Sequence, residues 1–271
     1  MTQTILITGS SSGIGRASAK HFHKQGWNVI ATMRSPERES ELTALENVLV
    51  TRLDVQDPAS ITSAVDAGLE RFGRIDVLLN NAGYGAYGLL EAISMEKARR
   101  QFDVNVMGLL ETTKALLPHL RANGSGTVIN ISSIGGKVTF PLGTLYHGSK
   151  FAVEGLSEAL HYELAAIGVK VKLVEPGIVD TDFAGRSFDF TNDESLAEYQ
   201  QLVGAVLEGQ AQLGAGGDKP EVVAETVYRA ATDGTDQLRY PAGPFAAELI
   251  AQRAATDDAT FLGGIKSQFG I

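Results

Sequence analysis

Residues 4–15 read TILITGSSSGIG: a short apolar run, a glycine-rich turn, and the first residues of a helical pattern that continues to Gln25. A buried strand that enters a helix through glycines is typical of a dinucleotide site, because glycine lets the backbone turn tightly beside a pyrophosphate. The helix N-terminus then meets the phosphate charge. The alternative is a turn without a ligand, and the three residues between Gly9 and Gly13 depart from the Gly-x-Gly-x-x-Gly spacing. The position of the turn favours a dinucleotide site, with contacts predicted from Gly9, Ser11, Ser12, Gly13, Ile14 and Gly15.

Apolar runs and helical patterns alternate from this point onward. The strand-like runs are Thr4–Thr8, Asn28–Met33, Val48–Leu53, Val77–Asn80, Thr127–Ser132 and Val169–Glu175, and the helical patterns are Ile14–Gln25, Ser60–Phe72, Met95–Leu109 and Tyr146–Ala166. Such alternation implies right-handed crossovers between parallel strands. We therefore predict an α/β fold: a doubly wound, Rossmann-like parallel sheet with helices on both faces, in a single domain over 1–271.

The alternation stops after Asp180. Residues 182–218 are polar and interrupted by glycines, and they carry scattered aromatic side chains. A further helix is predicted at about 220–232, a short strand near 238–241 and a helical tail after it. We interpret 182–218 as a late insertion in the same domain.

Composition narrows the classes of function. The 23 basic and 32 acidic residues give a formal charge of −9, without a dense basic run, which argues against a nucleic-acid partner or an anionic membrane surface. The absence of cysteine excludes disulfides and thiolate catalysis. The five histidines lack the spacing of a zinc motif, so no metal is predicted. No apolar run approaches the ~20 residues that cross a bilayer. We expect a soluble, cytoplasmic protein.

The end of the second strand bears on the choice of dinucleotide. An acidic residue there would bind a ribose 2′-hydroxyl, whereas this chain has Arg34 after Met33. A guanidinium group can bind a 2′-phosphate through charge-assisted hydrogen bonds, with Ser11 and Arg38 as helpers. The alternative is that Arg34 is a solvated loop residue. We predict a preference for NADP(H), with NAD(H) possible.

Tyr146 and Lys150 lie four residues apart in a predicted helix and therefore share one of its faces. A free tyrosine titrates near pH ~10, and a neighbouring ammonium group favours its phenolate. Such a pair can move a proton on or off a substrate oxygen. Chance alone produces Tyr-x-x-x-Lys in many helices, so the interpretation depends on the rest of the chain.

With these motifs in place, the chain resembles the short-chain dehydrogenase/reductase family in its single-domain form. The resemblance runs from Thr4 to about Thr181. Its motifs follow the family's order: the Thr8–Gly15 loop, Asp54-Val55, Asn80-Asn81-Ala82-Gly83, Asn105, Ser133 placed 13 residues before Tyr146, Tyr146 with Lys150, and Pro176-Gly177-Ile178-Val179-Asp180-Thr181. Arg34 stands where NADP-preferring members carry a basic residue. A second basic residue, found in some of them just before Gly13, is replaced here by Ser12.

The resemblance implies the roles of these residues. Asn105, Ser133, Tyr146 and Lys150 would be the catalytic tetrad, with Tyr146 as general acid or base, Lys150 lowering its pKa, Ser133 stabilising the substrate oxygen and Asn105 holding a relay water. Further cofactor contacts are expected from Asp54, Val55, Asn81, Ala82, Gly83, Tyr146, Lys150, Pro176, Gly177, Val179 and Thr181. The family also implies a homodimer or homotetramer, built on helices at about 95–121 and 146–166.

Substrate is expected beyond the carboxyl ends of the strands. Tyr84 and Tyr87 follow one strand, and Phe140, Leu142 and Gly143 follow another. By resemblance, 182–218 would be a lid that carries Phe183, with Gly214, Gly216 and Gly217 as hinges or as a mere connector. The predicted substrate contacts are Tyr84, Phe140, Leu142, Gly143 and Phe183. We predict reduction of an uncharged ketone or aldehyde. The alternatives are an NAD(P)-dependent alcohol or hydroxysteroid-like dehydrogenase and a non-catalytic dinucleotide-sensing module.

Overall fold

The computed structural model describes residues 2–181, 187–214 and 216–271, and the side chains of these residues except those of 210–214. Seven strands form one sheet in which every neighbouring pair is parallel, in the order β3-β2-β1-β4-β6-β7-β9. They are β1 Thr4–Ile7, β2 Asn28–Met33, β3 Val48–Arg52, β4 Val77–Asn80, β6 Gly126–Ile131, β7 Val169–Pro176 and β9 Arg239–Ala242. The predicted doubly wound sheet is confirmed.

Helices cover both faces of this sheet. Their bounds are α1 Gly13–Lys24, α2 Pro58–Phe72, α3 Met95–Phe102, α4 Gly108–Asn123, α5 Thr144–Ala165, α6 Gln200–Gly214, α7 Pro220–Thr232, α8 Pro244–Ala255 and α9 Asp258–Phe269. Local signals account for several of the starts. At α2, for example, Pro58 occupies the first turn and the Asp57 side chain accepts a hydrogen bond from the Ser60 backbone. None of the helices in the described ranges has an apolar stretch long enough to cross a bilayer.

The sheet is buried on both sides because alternate residues of each strand enter opposite cores. Ile5 and Ile7 of β1 pack with α1 and α7, whereas Leu6 packs with α2 and α4. A third apolar cluster joins the loop after β6 to α6, α8 and α9, and includes Ile134, Val206 and Phe261. This third cluster lies beside the carboxyl end of the sheet and supports the loops of the candidate site.

The predicted helix over Met95–Leu109 is interrupted. One π-helical turn, Asp103–Met107, separates α3 from α4, and α4 then runs on to Asn123. An extra residue in a helical turn rotates the side chains that follow and is often found at functional sites. Asn105, the predicted tetrad asparagine, lies in the middle of this turn.

Two short strands were absent from the sequence prediction. β5 (Gly85–Gly88) and β8 (Phe188–Thr191) pair in parallel as a separate small sheet. They contain glycine and aromatic residues without the apolar run that predicts a buried strand. The Lys97 ammonium of α3 binds Asp189, at 2.6 Å, and Thr191. These contacts attach β8 to α3.

The second half of 182–218 consists largely of α6. After it, Asp218 forms a backbone bridge with Val179, with an Asp218 N–Ile178 O distance of 2.8 Å. A Cβ atom on Gly217 would lie 2.9 Å from the backbone nitrogen of Asp180. Gly217 therefore allows close backbone packing rather than acting as a free hinge. Phe183, a predicted substrate contact, lies outside the described residues.

Candidate active site

The glycine loop lies at the carboxyl end of β1, where neighbouring connections leave to opposite sides of the sheet through β2 and β4. This is the place where open α/β sheets bind ligands. Gly9 and Gly13 have φ angles of 72° and 53°, which favour glycine. A Cβ atom on Gly15 would lie 2.3 Å from the Gly9 carbonyl oxygen. The loop can therefore form only with glycine at these positions.

Asn81 and Thr8 fix the loop to the end of β4. The Asn81 side-chain amide donates to the carbonyl oxygens of Thr8 and Gly9 at 2.9 and 3.1 Å. The Thr8 hydroxyl accepts hydrogen bonds from the backbone N–H groups of Asn81 and Ala82. These contacts explain why a polar turn follows an apolar strand at this point.

The residues around the loop fit a dinucleotide. Helix α1 starts without a side-chain cap on its N-terminus, so backbone N–H groups remain available to a phosphate. The Thr181 methyl group lies opposite Gly13, where an added Cβ atom would be 3.3 Å away. Thr181, the last residue of the Pro176–Thr181 segment, thus borders the glycine loop, and the cofactor contacts of this segment stay a prediction. Gly177 packs against Phe245 and Ala246 of α8, so its cofactor role stays a prediction.

Asp54 and Val55 stand after β3, toward the expected adenine side. The Asp54 backbone N–H donates to the Ser60 hydroxyl, and its carboxylate accepts from the Gln56 backbone. Val55 packs against Gly108, where an added Cβ atom would lie 2.6 Å from the valine Cβ. The pair is therefore held between α2 and α4, beside the crevice.

Arg34 is exposed directly after β2, next to the glycine loop. The acidic residues of the following loop are engaged elsewhere. Arg16 of α1 binds Glu39 and also Glu41, at 2.7 Å for the latter, and Glu39 accepts the backbone N–H of Leu42. Arg16 of α1 thereby holds the carboxylates of Glu39 and Glu41.

Ser133, Tyr146 and Lys150 converge at the carboxyl end of β6. The Ser133 side chain lies close enough to Tyr146 to lower the pKa of the phenol. The Ser133 oxygen accepts the Gly135 backbone N–H at 3.0 Å, which leaves its own proton to donate. The Lys150 ammonium lies 5.9 Å from the centre of the Tyr146 ring and donates to the Ile131 carbonyl oxygen at 2.9 Å. The structure brings together three residues whose outer members, Ser133 and Lys150, lie 17 positions apart in sequence.

Burial dominates the ionisation of this group. Burial raises the pKa of Tyr146, and the hydrogen bond from Ser133 opposes this effect only in part. Burial also lowers the pKa of Lys150 to about 8, against the attraction of Glu154. The net pKa shift of Tyr146 is opposite to the one expected from a neighbouring ammonium group, because desolvation of the phenolate outweighs the effect of Ser133.

Asn105 binds the backbone of Tyr84. Its side-chain oxygen accepts the Tyr84 N–H at 3.1 Å, and its amide donates to the Tyr84 carbonyl and to the Ser149 hydroxyl. Ser149 in turn donates to the carbonyl oxygen of Tyr146 at 2.7 Å. Asn105 thus ties the segment 83–86 to the catalytic helix. A water held by Asn105 stays a prediction.

Among the described residues, Tyr87 lies against the Tyr146 phenol. Its ring stacks on Tyr146, with centroids 5.2 Å apart and planes at 28°. Phe188 packs on the other side of Tyr87 at 5.0 Å, and Phe190 continues the row. The sequence placed Tyr87 in the segment after β4 but did not predict it as a substrate contact. Its contact with Phe188 depends on the pairing of β5 with β8, which was not predicted.

The predicted substrate residues Tyr84, Phe140 and Leu142 occupy positions different from that of Tyr87. Tyr84 packs with Ala86 and Leu145, and its ring lies under the Arg100 guanidinium at 5.1 Å. Phe140 and Leu142 pack into the third apolar cluster. Leu142 has a φ of 61°, which is rare for a branched residue and common near functional sites.

His147 organises the loop between Ser133 and Gly143. Its two ring nitrogens bond the Gly135 carbonyl and the Phe140 backbone N–H, both at 3.0 Å. A Cβ atom on Gly143 would lie 2.4 Å from the His147 ring, so glycine is required there. His147 is buried and packs this loop.

The comparisons with known proteins can now be set beside this geometry. The model of the short chain dehydrogenase family matches residues 3–192. An uncharacterized oxidoreductase from Schizosaccharomyces pombe is 46% identical over 244 residues, which is 88% of this chain and 100% of the relative. A 3-ketodihydrosphingosine reductase from Bacteroides thetaiotaomicron is 44% identical over 181 residues, which is 67% of this chain and 65% of the relative.

Solved structures agree with this assignment. A short-chain dehydrogenase from Streptomyces avermitilis has a TM-score of 0.84 and 33% identity, covering 100% of this chain and 98% of that one. Two Burkholderia enzymes at 26% identity carry different cofactors. The B. phymatum structure holds NAD (TM-score 0.77, 94% and 93% covered), and the B. cenocepacia structure holds NADP (TM-score 0.76, 97% of each covered). The chain belongs to the short-chain dehydrogenase family and is an oxidoreductase.

Proposed function

We propose that this chain is an NADP(H)-dependent reductase that converts an uncharged ketone or aldehyde to an alcohol, with Tyr146 as the general acid. The observation that carries the proposal is the convergence of Ser133 and Tyr146 with the buried ammonium group of Lys150 at the carboxyl end of β6. Two hydroxyl groups at one point can both donate to a carbonyl oxygen, which stabilises the negative charge that develops there.

A bound nicotinamide would supply the hydride, and the protein would orient the substrate and deliver the proton. The glycine loop, Asn81, Ala82, Gly83 and Thr181 would hold the dinucleotide. Because burial raises the pKa of Tyr146, the phenol is protonated at neutral pH and is suited to donate a proton. Oxidation of an alcohol by the same residues would need the phenolate.

Two observations support the preference for NADP(H). Arg34 is exposed at the end of β2, and the nearby carboxylates of Glu39 and Glu41 are bound by Arg16. The residues facing a 2′-phosphate would therefore be cationic. The related structures hold NAD or NADP, so they support a nicotinamide dinucleotide of either kind.

The substrate class follows from the stacked aromatic row. Tyr87, Phe188 and Phe190 form an apolar wall beside Tyr146. This wall supports an uncharged substrate with a ring or a long apolar chain, and the name of the B. thetaiotaomicron relative also specifies a ketone. We take 1–271 as one domain in which 182–218 is the substrate lid, and we expect a cytoplasmic homo-oligomer.

The test is a panel of aliphatic, aromatic and polycyclic ketones with NADPH and NADH, followed by absorbance at the nicotinamide band. We expect turnover of apolar ketones with NADPH, and faster turnover for those with rings or long chains. Turnover of alcohols only, or binding of cofactor with no turnover of any carbonyl compound, would contradict the proposed function.

A further inference from the structure

Two buried glutamates lie behind the active site, on the side of Lys150 away from the crevice. Glu154 follows Lys150 by four residues on α5, so both side chains leave the same face of the helix. Glu175 stands near the end of β7, beside α5, and is 1% exposed. The two carboxyl groups approach the same atom, the Arg239 Nε, at 2.9 Å for Glu154 and 3.9 Å for Glu175.

If both groups of this pair are ionised, their oxygen atoms have too few hydrogen-bond donors. One Glu154 oxygen accepts from the Arg239 Nε at 2.9 Å, while its other oxygen receives no donor. Within the described residues, neither oxygen of Glu175 receives a hydrogen bond from an N–H or O–H group, and Arg239 stays 3.9 Å away. Two adjacent, buried carboxylates with one shared cation would repel each other strongly. A single proton between them resolves the conflict.

We propose that Glu175 is protonated at neutral pH and donates to the free oxygen of Glu154, so that the pair holds one negative charge that keeps Lys150 cationic. Glu154 is the ionised member because it has the closer contact with Arg239. Glu175 is the protonated member because its surroundings offer it no donor. Both act through Lys150 and are positioning residues.

The electrostatics of the neighbourhood agree with this assignment. Burial, followed by the charge of Glu154, raises the pKa of Glu175 to about 7, against the attraction of Lys137 and Arg239. Glu154 in turn raises the pKa of Lys150, which burial lowers. The remaining charged neighbour, Glu158, binds Arg239 at 2.5 Å and is half-exposed. It therefore competes for Arg239 without facing Lys150.

Packing keeps the pair in place. A Cβ atom on Gly136 would lie 2.7 Å from the Ser132 hydroxyl oxygen and 2.9 Å from the Glu154 Cγ, so the loop after β6 closes tightly over this corner. On the outer side, Glu154 and Arg239 border a surface groove of about 770 Å³ between α5 and α8. The groove gives the pair a path for proton exchange with solvent that avoids the substrate crevice.

The first experiment does not depend on any activity. Unfolding of the unmodified chain is measured from pH 5 to 9, together with Glu175→Gln and, as the matched control, Glu158→Gln. Because the pKa of Glu175 is raised in the folded state, its contribution to stability is complete below its unfolded pKa and is lost as pH rises through about 7. Glu175→Gln, whose amide mimics the protonated acid, should remove this loss, and Glu158→Gln should keep it.

The proposal would be overturned if the stability of Glu175→Gln falls with pH as steeply as that of the unmodified chain. It would also be overturned if the variant is much less stable than the unmodified chain at pH 8. An infrared difference spectrum of the unmodified chain between pH 6 and 8 decides the matter if that variant does not fold. We expect the carbonyl band of a protonated carboxylic acid to disappear as pH rises. The absence of such a band would show that both carboxyl groups are already ionised.

The second experiment rests on the proposed function and follows the pH dependence of kcat. Glu154→Gln removes the charge beside Lys150, so the alkaline limb should move to lower pH by about one unit. Glu154→Asp should restore it in part, and Glu158→Gln should leave it unchanged. If Glu154→Gln does not shift the alkaline limb of kcat, the proposed effect of Glu154 on Lys150 is refuted. If no carbonyl compound is turned over, the proposed function fails, while the unfolding and infrared results still decide the state of the pair.

Discussion

The ring of Tyr87 stacks on the ring of Tyr146, with centroids 5.2 Å apart and planes at 28°. The contact joins a residue of the small sheet to the proposed acid of the reaction. Tyr87 is itself held by Phe188 of β8, and its neighbour Gly88 donates to the Leu142 carbonyl at 2.8 Å. The wall of the substrate pocket and the orientation of the phenol are therefore determined together.

Replacing Tyr87 tests this coupling. Tyr87→Ala should raise KM for ring-bearing ketones by about 3- to 10-fold, because a stacked aromatic contact contributes roughly 0.5–1.5 kcal/mol. Tyr87→Phe keeps the ring and should leave KM nearly unchanged. Steady-state kinetics with an aromatic and a small aliphatic ketone provide the comparison. An equal change for both ketones would mean that Tyr87 supports the fold rather than the substrate.

Removal of the phenol hydroxyl should stop the reaction. Tyr146→Phe is expected to lower kcat by at least ~100-fold, because proton transfer by a positioned side chain typically contributes a factor of that order. Ser133→Ala should lower kcat by roughly 100-fold, by removing one donor to the substrate oxygen. Cofactor binding, measured by calorimetry, should change little in both variants. Tyr162→Phe on the exposed face of the same helix is the control, and substantial activity in Tyr146→Phe would assign the proton to another group.

Arg34 should determine the choice between NADPH and NADH. Loss of a charge-assisted contact costs about 1.5–3 kcal/mol, so Arg34→Ala should weaken NADPH binding by about 10- to 100-fold and leave NADH binding nearly unchanged. Thermal shift with each cofactor measures the effect. Arg121→Ala, near the C-terminal end of α4, serves as the control. Equal stabilisation of the unmodified chain by both cofactors would disprove the preference.

The reaction should slow in alkaline solution. Burial lowers the pKa of Lys150 to about 8, so kcat should fall as pH rises through that value if the ammonium group is required. The effect on stability has the opposite sign. The folded chain binds fewer protons than the unfolded chain between pH 8 and about 10.5, and the contribution of Lys150 to stability therefore increases over this range. Paired measurements of kcat and of unfolding between pH 7 and 10 separate the two effects.

A homodimer or homotetramer is expected from the exposed apolar side chains around α4 and α5. Met107, Phe151 and Tyr162 are 50%, 45% and 72% exposed. Patches of this kind commonly mark interfaces. Light scattering after size exclusion should give two or four chains for the unmodified protein, and Phe151→Glu should shift it toward smaller species. A monomer at micromolar concentration would contradict this expectation.

Sequence prediction succeeded where a local pattern has a single physical solution. The glycine loop admits no side chain at Gly15, and a buried apolar run that enters a helix specifies a parallel strand and its crossover. It failed for β5 and β8, whose residues lack an apolar run and pair through contacts between distant parts of the chain, such as Lys97 with Asp189 and Tyr87 with Phe188. The π-helical turn at Asn105 was also missed, because one inserted residue leaves the helical periodicity almost intact.

The sequence by itself determined the family, the sheet and the identity of the candidate tetrad, since each depends on contacts between near neighbours or on a fixed spacing. Only the tertiary structure decided the ionisation of the site. The pKa shifts of Tyr146, Lys150 and Glu175 arise from burial and from groups brought close by folding. Desolvation depends on everything that surrounds a group in three dimensions, and linear spacing carries no record of it.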